Sequence, residues 1–131
     1  MDKILNLTQH KATPDQIKAG VVEPSDKGAV QDLLTFKELP TAGEIREKAE
    51  KISKIAEGQC PSGKVMIGGA PYLMGPLEKA LKDKGLVPLY AFSERESVEV
   101  ALPDGSVKKT FVFKHLGFVG DDTPGDLLET Q

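Results

Sequence analysis

Thr8, Gln9, His10 and Lys11 place a hydroxyl, an amide, an imidazole and an ammonium at four consecutive positions, directly after the apolar run of Ile4, Leu5 and Leu7. Thr13-Pro14-Asp15-Gln16 follows with the form of a capping box and proline at the first helical position. The stretch reads as a strand, a polar loop and a helix start. In an open α/β sheet, side chains and unpaired helix N–H groups converge beyond the carboxyl end of such a strand, and ligands bind there. Thr8, Gln9, His10 and Thr13 are therefore the first candidates.

Two further junctions have the same form. Residues 64–67 read as a short buried strand ending in Gly68-Gly69-Ala70-Pro71-Tyr72, where glycines permit close backbone approach. The apolar residues 86–92 run into Ser93-Glu94-Arg95-Glu96. If these three strands are parallel neighbours, their ends share one edge. Backbone amides of Gly68 and Gly69, the hydroxyls of Thr8 and Ser93, the His10 imidazole and the Arg95 guanidinium then surround one concavity. That set suits an anionic ligand carrying a base, such as a nucleotide: Arg95 for a phosphate, the glycine amides for another, Tyr72 or Phe92 for stacking.

Plain structural readings stand beside each of these. His10 can be a loop histidine, Arg95 a surface ion pair with Glu94 or Glu96, and Gly68-Gly69 an ordinary strand-to-helix turn without phosphate-loop spacing. His115 reads as structural and Cys60 as a loop or packing residue. Two distant histidines and one cysteine give no metal-ligand spacing, no cofactor motif is present, and no Ser-His-Asp signature occurs.

The elements that must position these residues follow from periodicity. A short helix from Pro14 ends at Gly20 and a minor strand occupies residues 20–23. Ser25 is placed to cap a helix through Phe36, and Thr41 caps a second one through Glu57, with Ile45, Ala49, Ile52 and Ala56 on one face. The helix from Pro71 is expected to break or restart at Gly75-Pro76. Pro88 implies an edge position or a bulge in residues 86–92. Alternation from Val98 to Leu102, a turn at Pro103-Asp104-Gly105 and alternation through His115 make a hairpin. The sum is an α/β fold, a Rossmann-like three-layer sandwich with a partly parallel sheet and a C-terminal β-hairpin.

At 131 residues the chain reads as one domain over residues 1–119, with 120–131 an acidic, disordered tail. The formal charge of −3 resides in that tail, through Asp121, Asp122, Asp126 and Glu129, so the body is near neutral. That argues against binding duplex nucleic acid but leaves room for a small anion in one pocket. A single cysteine, no signal-peptide pattern and no long apolar run point to a cytoplasmic protein that does not engage a membrane.

The segment from Asn6 to Gln16, the glycine-bearing strand end with Tyr72, residues 89–96 and the hairpin ending in aromatics and His115 together resemble the small CRISPR-associated single-domain proteins of the ring-nuclease and CARF-like group. The resemblance covers residues 3–118 in element order. It implies a homodimer that binds a cyclic oligoadenylate, or another small nucleotide, at the carboxyl ends of its strands. Some members of that group cleave the ring without a metal, by ribose 2′-OH attack on the adjacent phosphate, an antiviral phosphodiesterase activity. The resemblance places ligand or catalytic contacts at Thr8, His10, Thr13, Gly69, Tyr72 and Arg95; with the residues of the shared edge, the expected site is Thr8, Gln9, Thr13, Gly68, Gly69, Tyr72 and Ser93 for ligand binding and His10 and Arg95 for catalysis. Phe92-Ser93-Glu94 stands where such proteins often have a hydroxyl-rich step before arginine, which weighs against cleavage more than against binding. A non-catalytic nucleotide sensor, or a protein-interaction module, is the alternative.

Overall fold

A computed structural model describes residues 3–120; residues 121–131, and with them nearly all of the expected tail, lie outside the described part. Along it run β1 (Ile4–Leu7), α1 (Pro14–Lys18), β2 (Val21–Val22), α2 (Lys27–Leu34), α3 (Ala42–Glu57), β3 (Lys64–Ile67), α4 (Pro71–Asp83), β4 (Val87–Ala101) and β5 (Val107–Gly120). The strands form one sheet in the order β2-β1-β3-β4-β5, parallel from β2 to β4 and antiparallel between β4 and β5. The chain winds outward from β1 to β2, then crosses back past β1 to β3. The winding therefore reverses between β1 and β3, and this switch point is where an open sheet leaves a crevice.

Alternation along the buried strands sorts the core. Leu5, Leu7, Val65 and Ile67 pack with Val30, Leu34, Ile52, Leu73 and Leu77 of the helices, while Ile4, Met66 and Leu89 belong to a second cluster with Val21, Ala12 and Phe118. Right-handed crossovers put α1 on the face opposite α2–α4. α1 has five residues, none of them buried, so the second helical layer expected from the sequence is reduced to this one short helix.

Three local expectations are corrected. α2 begins later than Ser25: Asp26 caps it, its carboxylate accepting from Ala29 N at 3.0 Å, while the Ser25 amide donates to Gln59, and the helix stops at Leu34 rather than Phe36. α4 does not break at Gly75-Pro76. Proline removes the one N–H that would reach the Tyr72 carbonyl, whereas Leu73, Met74, Leu77 and Leu81 form a single buried stripe on both sides of it. The expected interruption near residues 93–97 is absent too. β4 is continuous and pairs with β5 from Leu89↔Gly120 to Ala101↔Val107, with one irregularity at Phe92/Ser93. Pro88 precedes the first of those pairs, so among the described residues it faces no β5 neighbour that would need its missing N–H. Gly105, at φ +86°, supplies the left-handed residue of the hairpin turn.

Candidate functional site

Both halves of the Thr13 capping box form: the Thr13 hydroxyl accepts from Gln16 N at 3.2 Å and the Gln16 side chain accepts from Thr13 N at 3.0 Å. This fixes where the β1–α1 loop ends. Where it begins is fixed by Asn6, which is fully buried in the otherwise apolar β1. Its carbonyl oxygen accepts from Thr8 N at 2.9 Å and from the Thr8 hydroxyl at 2.7 Å, and its amide donates to the His10 carbonyl at 2.8 Å and to the Glu23 carboxylate at 3.0 Å.

Glu23, just after β2, also accepts from Ala12 N at 2.8 Å and pairs with Lys27 at 3.2 Å; Lys27 in turn donates to the carbonyls of Thr8 and His10. Partial burial raises the Glu23 pKa, but the bonds from Ala12, Asn6 and Lys27 outweigh it and hold the carboxyl below its usual range. A depressed folded pKa gives stability that is present above the unfolded value, near 4.5, and lost as the pH falls through the folded one. The stability gap between wild type and Glu23→Gln should accordingly be full at neutral pH and shrink below pH about 4.5, as read from urea midpoints across that range. A gap that does not change with pH would remove Glu23 from the network.

The loop so shaped lines a crevice of about 510 Å³ at the switch point. Thr8, Gln9, His10, Lys11 and Thr13 form one wall, Gly68 and Gly69 the floor beyond β3, and Ala91, Ser93 and Phe113 the wall from the β4–β5 ribbon. Gly69 has φ +148°, a backbone conformation that side-chain-bearing residues rarely adopt, so glycine is what lets β3 turn into α4 here. Tyr90, from β4, also borders the crevice; burial and the Glu78 carboxylate it donates to at 2.7 Å push its hydroxyl far above the usual phenol range, which keeps it neutral.

Three of the candidates lie elsewhere, and of these Phe92 is exposed on β4 outside the lining. Tyr72 packs edge-on against Phe36 at 5.2 Å and borders a separate groove between α3 and α4 with Ala42, Ile45 and Pro76. It falls at the flank of α4, beside the buried stripe. Arg95 sits farther out on the ribbon, its guanidinium carbon 3.7 Å from the centroid of the Phe111 ring. Within the crevice, Thr8 and Thr13 spend their hydroxyls on the loop and the cap, and the Gln9 amide donates to Thr35 at 2.9 Å. His10, Lys11 and Ser93 have no such side-chain bond among the described residues.

Sequence reasoning passed over Asn6, Glu23 and Lys27, which shape the loop, and Phe113, which walls it. The signal for Asn6 is an amide inside a four-residue strand that is buried throughout. Among the described residues, no carboxylate lines the crevice, and no group of acidic, His and Cys side chains gathers to hold a metal. No helix there is long and apolar enough to cross a membrane.

Compared with known proteins, residues 2–119 match one family, described as the uncharacterized protein MJ1673 family. No curated protein and no solved structure matches.

Proposed function

We propose, for a chain that belongs to the uncharacterized MJ1673 family, that the switch-point crevice takes a small anionic nucleotide, specifically a cyclic oligoadenylate. The observation that carries this is the lining. In a chain with 20 acidic residues, the crevice presents His10, Lys11, Ser93 and the Gly68-Gly69 backbone, and no carboxylate among the described residues. An anion is the ligand such a lining stabilises, and Phe113 offers a ring face to a base. The choice of a cyclic oligoadenylate rests on the resemblance at Asn6–Gln16 and residues 89–96, to which the family match adds nothing. A Rossmann-like cytoplasmic protein is the corresponding finer description.

Cleavage, in this reading, needs only geometry. A pocket holding a ribose 2′-OH in line with the neighbouring phosphorus forms the new O–P bond as the 5′-oxygen leaves. Lys11 and the glycine amides would stabilise the developing charge, and His10 would move a proton.

The test is incubation of the chain with cyclic tri-, tetra- and hexa-adenylate in the presence of a chelator, reading melting temperature and chromatographed products. A rise in melting temperature with one ring supports the reading; linear products add turnover, and their absence makes the protein a sensor. Lys11→Glu should then weaken binding by about tenfold or more, because it puts a carboxylate where none stands. No shift with any ring, or unchanged affinity in Lys11→Glu, would overturn it.

A further inference from the structure

From Ser93 outward, β4 and β5 leave the body of the sheet as a two-stranded ribbon, paired from Ser93↔His115 to Ala101↔Val107. A lone ribbon is marginal in water because each face lacks a packing partner. This one also carries apolar side chains in the open, Phe113 at 73 % exposure, Phe111 at 52 % and Val107 at 59 %. Cross-strand pairing puts all three on one face, together with Arg95, Ser97, Glu99 and Lys109. It is the face that carries Ser93 and Phe113, which wall the crevice.

We infer that this face docks on the same face of a second copy of the chain, about a two-fold axis through the Ser97–Phe111 pair. The charge pattern is self-complementary about that axis. Arg95 and Glu99 lie two positions either side of Ser97 on β4, and Phe113 and Lys109 two positions either side of Phe111 on β5. A two-fold running across the strands stacks β4 on β4 and β5 on β5 in opposite directions. Arg95 then faces the partner's Glu99, Lys109 faces the partner's Phe113, and the two Phe111 rings meet at the centre. The ion pair and the cation–π contact each arise twice from one operation, on either side of a single aromatic contact on the axis, as an isologous interface requires.

The opposite face is less complementary about the equivalent axis. About Val98–Thr110 it would set Glu96 on the partner's Val100 and Val112 on the partner's Lys108, a charge on an alkyl group each time. The docking also lays the tip of each ribbon, Ala101 and Val107, against the Ser93 end of the other copy's crevice, so the second copy supplies a wall of that crevice. The inference holds whatever the crevice binds.

Sedimentation of the full chain tests it without ligand. Wild type should be a dimer. Arg95→Glu and Glu99→Arg should each weaken it by about tenfold or more, through like charges set face to face, and the double variant should recover most of that loss. Within one chain Arg95 and Glu99 are four residues apart on an extended strand, about 13 Å, so recovery requires the pair between copies. These side chains are exposed, and circular dichroism would confirm that the variants fold. A monomeric wild type, a dimer indifferent to both single changes, or a double variant as weak as the sum of the singles would overturn the interface.

Discussion

Asn6→Ala is expected to lower the free energy of unfolding by about 3 kcal/mol, a large effect for a side chain with no apolar bulk to lose. Asn6 is fully buried and its side-chain amide ties the β1–α1 loop, at Thr8 and His10, to Glu23 after β2. Alanine leaves the Thr8 amide without its acceptor, cuts the Thr8 hydroxyl back to its longer bond to the His10 carbonyl at 3.1 Å, and takes from that carbonyl and from Glu23 the donor that tied them to β1. Each buried group so stranded costs about 1–3 kcal/mol, and Glu23, which water reaches, recovers part of its share. Urea unfolding should show the lower midpoint with an unchanged slope. The companion Asn6→Asp has a different signature. A buried carboxylate beside Glu23 has its pKa raised by desolvation and by the like charge, so its penalty is absent below the unfolded value, about 4, and grows as the pH rises past it. That variant should be less stable at pH 7 than at pH 4, relative to wild type. A loss below about 1 kcal/mol in Asn6→Ala would mean the loop is held by something other than this network.

The same residue shows where reading the sequence stops. Local chemistry was legible: the Thr13 cap, the glycine turn at Gly69, the hairpin around Gly105 and the short buried strands are each specified within a few residues. The shared edge of β1, β3 and β4 could be anticipated from the βαβ order. The partners of Asn6 could not, because Glu23 and Lys27 come from the end of β2 and the first turn of α2, and only the fold brings them under the loop. Tyr72 and Arg95 were placed by their nearness in sequence to strand ends. Helical phase then turned Tyr72 toward Phe36, and an unbroken β4 carried Arg95 two residues past the crevice wall at Ser93 onto Phe111. A strand that runs on displaces a residue by about 3.4 Å per position, enough to move a guanidinium out of reach.

Leu77→Ala is expected to cost about 3–4 kcal/mol, within the range for a fully buried leucine whose site cannot collapse. Leu77 has no exposed surface and lies one residue after Pro76, in the middle of the stripe that α4 presents to Leu5, Leu7 and Ile67. That packing is what keeps α4 continuous where its backbone is weakest, since Pro76 contributes no N–H and Gly75 no side chain. Two contrasts isolate the cause. Leu39→Ala, at a site 95 % exposed, should change stability by no more than about 0.5 kcal/mol. Pro76→Ala should be neutral or stabilising, because it restores a hydrogen bond to the Tyr72 carbonyl in a conformation already helical. If Leu77→Ala cost less than about 1 kcal/mol while Pro76→Ala unfolded the protein, proline rather than the buried stripe would be setting the course of α4. The consequence reaches the crevice, because α4 begins two residues after Gly69, and the turn that forms its floor is anchored only as firmly as the helix behind it.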